Sequence, residues 1–194
     1  MTVAQAKILA FAGSVRRESF NRRLLPAAIE GARAAGAEVT HIELADFPLP
    51  LFDQDMEARD GLPANALRLK ELFKSHGGLL LACPEYNGSI TPLMKNTLDW
   101  VSRKHGPESG TVPYKRKVVG LLSASDGRWG GIRGLTQVRH TLTILGCIVL
   151  PEQYCLSAAG QAYDEAGRIK DDKVRSGAAA IGTRLAGFLK DGNV

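Results

Sequence analysis

Residues able to do chemistry collect in three polar, glycine-bearing segments. The first, Gly13–Asn21, reads GSVRRESFN. Gly13 lets the chain turn sharply, and Ser14, Ser19 and Asn21 place short polar groups where a helix would begin. The unpaired N–H groups of a first helical turn form an anion site, and the helix dipole adds about 0.3–1 kcal/mol for a negative charge there. Arg16 can add a charge-assisted, bidentate contact to a phosphate, while Arg17 faces the same ligand or solvent. Plain helix capping by Ser19 or Asn21 is the alternative use of these residues. The segment has neither Gly-x-Gly-x-x-Gly nor Gly-Lys-Ser/Thr, so a monophosphate suits it better than a dinucleotide or a triphosphate.

The second segment, Pro84–Ser89, reads PEYNGS. Pro84 stiffens the exit from an apolar run, and Asn87 and Gly88 tolerate a tight turn that exposes backbone N–H and C=O groups. A flat heteroaromatic ring with polar edges can bond to such groups, and Tyr86 offers an aromatic surface with a polar tip. Glu85 is either a charge beside a ligand or a turn residue. Downstream, Trp100 reads as core and Lys95–Asp99 as a surface pair at helical spacing, with Asn96 open between the two uses. The third segment, Ser123–Arg133, reads SASDGRWGGIR. Its glycines let backbone approach a ligand, and Trp129 there would stack on a ring or fill a subunit interface. A long turn without a ligand is the plainer reading of that segment alone.

These segments need a scaffold that brings them together. Short apolar runs alternate with amphipathic ones. Lys7–Ala12, Val39–Leu44, Gly78–Cys83, Lys117–Ser123 and a run starting at Cys147–Leu150 read as strands. Asn21–Ala35, Ala64–Ser75, Pro92–Ser102, Ile132–Leu145 and Asp171–Leu189 read as helices, with Gly36 and Gly146 as caps. Asp46–Pro63, rich in Pro and Asp, reads as a loop, as does His105–Tyr114. Alternation of this kind predicts one parallel sheet with helices on both faces, and a single domain over residues 1–194. Ligands in such sheets sit at the carboxyl ends of the strands, where all three polar segments fall.

Composition narrows the function. With 194 residues, 44% of them hydrophobic and 23% charged, the chain suits one core. The net charge of +5 comes from scattered residues with no run of five Lys/Arg, which argues against nucleic acid as a partner. Cys83, Cys147 and Cys155 form no Cys-x-x-Cys pair; the first two lie in apolar runs and read as buried thiols in a reducing compartment. His41, His76, His105 and His140 lack metal spacing. The start, MTVAQAK, is too polar for a signal segment, and no apolar stretch is long enough to cross a bilayer, so a cytoplasmic protein without a membrane partner is expected.

With these residues in view, the chain resembles the NADPH-dependent FMN reductase family, which includes bacterial quinone, chromate and azo-dye reductases. The resemblance runs from about Lys7 to Leu150. It rests on Gly13, Ser14, Arg16, Ser19 and Asn21; on Pro84, Glu85, Tyr86 and Asn87 followed by Leu93, Lys95, Asn96, Asp99 and Trp100; and on Ser123, Ser125, Gly130, Gly131 and Arg133. It implies an α/β flavodoxin-like three-layer sandwich, with a five-stranded parallel sheet in the order 2-1-3-4-5 and non-covalent FMN. Ser14, Arg16, Ser19, Phe20 and Asn21 would hold the phosphate. Pro84, Glu85, Tyr86, Asn87 and Gly88 would hold the isoalloxazine, largely through backbone groups, and Ser123, Ser125 and Gly127 would line the far side. The resemblance also implies a homodimer or homotetramer with the site near the subunit interface. One departure stands out: Asp126 occupies a place often taken by proline or another uncharged residue, where Arg128 could neutralise it.

The expected function is therefore an NAD(P)H oxidoreductase passing two electrons through FMN, by a ping-pong scheme, to small-molecule acceptors such as quinones or free flavin. Arg16, Arg17 and Arg128 tilt the donor toward NADPH over NADH. No side chain is needed as a catalytic acid or base, and no metal is expected. The rival readings are a flavodoxin-type electron carrier and a regulatory protein that kept only the fold. A hydrolase is disfavoured by the absence of Gly-x-Ser-x-Gly and Cys-x5-Arg.

Overall fold

Three central strands carry apolar residues on both faces, and each must be covered twice. The computed structural model describes residues 5–192 and meets this need with one parallel sheet between two helical layers. Residues 1–4, part of the polar start discussed above, lie outside the described residues. The elements run β1 (Lys7–Ala12), α1 (Phe20–Ala34), β2 (Glu38–His41), α2 (Gln54–Asp60), α3 (Ala64–Ser75), β3 (Gly78–Ala82), β4 (Glu85–Tyr86), β5 (Ser89–Ile90), α4 (Pro92–Val101), β6 (Val118–Ala124), α5 (Ile132–Ile144), β7 (Ile148–Leu156) and α6 (Asp172–Lys190). The main sheet has the order β2-β1-β3-β6-β7, and β4 and β5 pair as a separate antiparallel hairpin. Setting that hairpin aside, the order is the expected 2-1-3-4-5.

Alternation along the strands divides the core. Ile8, Ala10 and Ala12 of β1, Leu80 and Ala82 of β3, and Leu122 and Ala124 of β6 face α1 and α6. Leu9 and Phe11, Leu79 and Leu81, and Val119 and Leu121 face α3, α4 and α5. The layer of α1 and α6 is thin because a Cβ on Gly31 would collide with the carbonyl of Ala179, and one on Gly182 with that of Ala28. The two helices approach where a glycine of one meets an alanine backbone of the other.

One sequence expectation needs correction, and the last strand, read only from its start, is completed. The Asp46–Pro63 loop contains α2, started by Asp53, whose carboxylate accepts from Asp55 N (2.7 Å) and Met56 N (3.1 Å). No residue of α2 is buried, so its sequence carries no apolar stripe; only the acidic cap and the closing Gly61 mark it. The last strand runs on to Leu156 despite Pro151. It is an edge strand, and its pairing with β6 slips between Val119 and Leu121 and resumes at Gln153, which accommodates the missing N–H. Among the described residues no helix is long and apolar enough to cross a membrane.

Candidate functional site

The chain turns out of β1 at Gly13, whose N–H donates to Ala82 O on β3 at 2.9 Å. Ser19 caps α1 with an extended backbone, and its Oγ faces Arg22 N at 3.4 Å. The N–H groups of Phe20 and Asn21, in the first turn, have no acceptor within the helix. The Arg16 N–H donates to Ser14 Oγ (3.2 Å) and its guanidinium to Glu18 O (3.2 Å). Arg17 and Arg23 both pair with Glu18, and Arg22 pairs with Glu43 at 3.0 Å. Among the described residues Arg16 is the arginine of this segment without a carboxylate partner, so its charge is free for an anion.

Asn21 does something the sequence left open. It is 3% exposed, its Nδ2 donates to Ala124 O (2.8 Å), and its Oδ1 accepts from Ala124 N (3.0 Å). The amide thus pairs with the end of β6 as a neighbouring strand would, locking the first segment to the third. Its side chain is spent, which leaves only its backbone N–H for a ligand.

The second segment is the β4–β5 hairpin. Asn87 (φ 52°) and Gly88 (φ 77°) form its turn with two consecutive positive φ angles. Glu85 resolves as a bracing residue: its carboxylate accepts from Arg133 Nη2 (2.8 Å) and from Gly134 N (2.9 Å), tying the hairpin to the start of α5. Tyr86 stands 54% exposed over the cavity. Trp100 is core, with Nε1 donating to Pro50 O (2.8 Å), and Lys95 pairs with Asp99 at 2.7 Å. Asn96 accepts from Phe52 N (2.8 Å) and donates to Pro50 O (2.9 Å), so it straps the Pro-rich segment to α4.

In the third segment Ser125 accepts from Gly127 N at 3.2 Å, while Ser123 is wholly buried and its Oγ has no partner. A Cβ at Gly131, where φ is +88°, would run into that Oγ, so the start of α5 settles directly on β6. Asp126 is not neutralised by Arg128. Its Oδ1 accepts from Gly160 N at 2.6 Å, and the Arg128 guanidinium lies 5.3 Å from the centre of the Trp129 ring. Trp129 is 58% exposed.

A further brace arrives from the C-terminal side. The Tyr163 ring stacks on Phe20 (6.0 Å, 2°), and its hydroxyl donates to Phe20 O at 2.9 Å. Burial pushes that hydroxyl's pKa well up, more than Arg23 pulls it down, so it remains a donor. Ser125 N–H donates to Leu156 O, and Ala159 N–H to Ser125 O. The start of α1, the end of β6 and residues 156–163 therefore form a closed ring of cross-links.

These elements enclose a cavity of about 160 Å3 lined by Ser14, Arg16, Ser19, Phe20, Asn21, Pro84, Glu85, Tyr86, Ala124, Ser125 and Asp126. Nine of the residues proposed from sequence meet on its wall. Four do not: Asn87 and Gly88 form the outer turn, Ser123 lies beneath α5, and Gly127 meets the wall only through its N–H on Ser125 Oγ. Ala124 and Asp126 join the wall without having been assigned to it; Asp126 had drawn notice only as a departure from the family pattern. Tyr163 carried no sequence signal, since its contact spans 143 residues. No thiolate serves the site: burial raises Cys83, and burial and then the Glu85 charge raise Cys155. Among the described residues no group of His, Cys, Asp or Glu could hold a metal.

The model of a family described as NADPH-dependent FMN reductase matches residues 6–161. The chain belongs to that family. It is 38% identical to an NAD(P)H-dependent FMN reductase of Pseudomonas aeruginosa over 87% of each chain. It is 32% identical to a quinone reductase of Pseudomonas putida over 92% of this chain and 91% of that one. Among solved structures, a flavoenzyme NAD(P)H:(acceptor) oxidoreductase from Paracoccus denitrificans superposes with a TM-score of 0.76 at 23% identity, covering 96% and 98% of the two chains. Membership makes this chain an oxidoreductase using FMN with NAD(P)H. The cavity's donors fit that cofactor: a guanidinium without a carboxylate partner, two helix N–H groups without an acceptor in the helix and two serines at one end, and an aromatic edge at the other.

Proposed function

We propose that this chain reduces quinones, free flavin or other flat acceptors at the expense of NAD(P)H, with donor and acceptor using the same open face in turn. In overall balance, NAD(P)H, a proton and a quinone give NAD(P)+ and the hydroquinone. When bound, FMN supplies the two-electron transfer. Arg16 and the N–H groups of Phe20 and Asn21 hold its phosphate, with Ser14 and Ser19 beside them. Pro84, Glu85 and Tyr86 border the ring, chiefly through backbone. Ser125 lines the far side, and Asn87, Gly88, Ser123 and Gly127 support that frame rather than form its wall. No side chain acts as acid or base.

The observation that carries this reading is the asymmetry of the cavity. One end is charged and braced, whereas the other opens past an exposed Tyr86. A single open face admits one planar partner at a time, which supports a ping-pong scheme. Exposed Trp129 and Ile132 beside the site support the reading of a homodimer or homotetramer, and three unpaired cysteines suit a reducing cytoplasm. The absorption spectrum tests the assignment. Protein loaded with FMN and desalted retains the flavin bands, and anaerobic NADPH bleaches them within the mixing time of a rapid experiment. A retained flavin that stays oxidised with both NADPH and NADH would make the chain an electron carrier instead.

A further inference from the structure

The cavity does not end at Tyr86. Ser14, Arg16 and Tyr86 also border a second recess of about 410 Å3, completed by Gly13, Val15, Thr91, Pro92 and Leu93. Val15 and Leu93 then border a third, of about 300 Å3, with Leu44, Phe47, Pro48 and Leu49 among its walls. Through these shared residues the three adjoin in series as one trough, from the start of α1, across the first turn of α4, to the Pro-rich segment before α2.

The chemistry changes along it. Arg16, at the junction, is the only charged side chain on the second recess, and the third has none. Of the polar side chains that remain, Ser14, Thr91 and Thr97 are engaged within the protein, and the Tyr86 hydroxyl stands at the ring end. Thr91 Oγ donates to Gly13 O (3.0 Å) and faces Met94 N (3.3 Å), and Thr97 Oγ donates to Leu93 O (2.8 Å). Pro48 O accepts from Asn65 Nδ2 (3.0 Å), and Pro48 and Pro92 have no N–H. Both threonines are 2% exposed, so they offer the trough at most a methyl edge. A hydrophilic ligand would find few free partners there, and a hydrocarbon would lose none. Asn96 and Trp100 pin the far wall through Pro50 and Phe52, so the trough is preformed.

We infer that this trough is a subsite for the hydrocarbon substituent of a ring-shaped acceptor, with the ring at Tyr86 and the chain lying along Val15, Leu93, Pro48 and Leu49. This rests on the reductase reading above and narrows its substrate class to quinones bearing an alkyl or prenyl chain, ahead of free flavin with its hydroxylated one. A second copy of this chain is the competing occupant of the same apolar surface. Continuity with the reaction cavity favours the acceptor, because the second recess shares Ser14, Arg16 and Tyr86 with the cavity and Val15 and Leu93 with the third recess.

Chain contacts are made equally in ground and transition states, so they lower KM and leave kcat nearly constant. A half-open apolar wall is worth roughly two- to fourfold per methylene removed from water. The test is steady-state kinetics of the FMN-loaded protein with one quinone nucleus carrying no chain, a three-carbon chain and a prenyl chain. The expected result is kcat/KM rising at least tenfold along the series through KM. In Leu49→Ser the advantage of the prenyl quinone over the chainless one falls at least fivefold. Turnover of the chainless quinone with no gain from the chain would overturn the subsite while leaving the reductase reading intact; loss of flavin retention or of all turnover would strike that reading itself. A lowered self-association of Leu49→Ser in sedimentation, with no change in chain preference, would assign the trough to a second copy.

Discussion

The start of α1 and the recess beyond Tyr86 adjoin through Ser14 and Arg16 and are built on opposite plans. At α1 almost every polar side chain has a named partner: Asn21 holds Ala124, Tyr163 holds Phe20, and Asp126 holds Gly160. Arg16 stands out with its charge free. Beyond Tyr86 the walls are apolar, Val15 is 51% exposed, and the polar groups are turned inward. A cofactor that stays needs its donors fixed before it arrives, since ordering them afterwards would cost binding energy. Partners that come and go are better served by a surface that selects by shape and burial. On the function proposed above, the contrast would let one site retain FMN while its acceptors come and go.

The sharpest way to break this contrast is Asn21→Ala. It leaves the buried N–H and C=O of Ala124 unpaired, so stability should fall by about 2–4 kcal/mol in urea denaturation, with FMN affinity falling alongside. A change confined to affinity would mean that Asn21 touches the ligand rather than the frame. Next, Arg16→Ala should weaken FMN binding roughly 10- to 100-fold by fluorescence titration, more strongly at low salt, and should alter hydride transfer in FMN-saturated protein much less. Tyr86→Ala is its counterpart: the KM for quinones should rise about three- to tenfold, with a smaller effect on FMN retention. If both variants moved the same parameter, the two ends would not be separate. The smallest effect belongs to Tyr163→Phe, which keeps the stack on Phe20 and loses one hydrogen bond; a stability loss of about 0.5–1 kcal/mol and a slight loss of FMN affinity are expected.

The ends also differed in how far they could be read in advance. The segment Ser14–Asn21 is contiguous, and its serines, arginine and helix start lie within a few residues, so local chemistry announced an anion site. Asn21 was legible as a cap but not as a clamp, because its partner Ala124 is 103 residues away. Glu85 and Asp126 were visible as charges, yet their engagement with Arg133 and Gly160 depends on how α5 and residues 159–161 meet the sheet edge. Ser123 looked like a ligand-facing serine at a strand end; one step of strand alternation, together with Gly131 above it, turned it into the interior.

What the sequence determined by itself is what depends on short-range periodicity and residue type: the alternation of strands and helices, the polar loops at their junctions, the buried thiols and the family. Strand pattern and helix starts are set within a few residues, where sterics and capping act. Only the tertiary structure decided which polar groups remain free. A hydrogen-bonding side chain is available to a ligand only after the protein's own backbone has had its claim, and backbone groups such as those of buried Ala124 and of Gly160 claim partners from anywhere in the chain. The apolar trough was decided in the same way. Val15, Pro48 and Leu93 are ordinary residues in three unrelated segments, and it was the packing of α4 against the sheet that made them one surface.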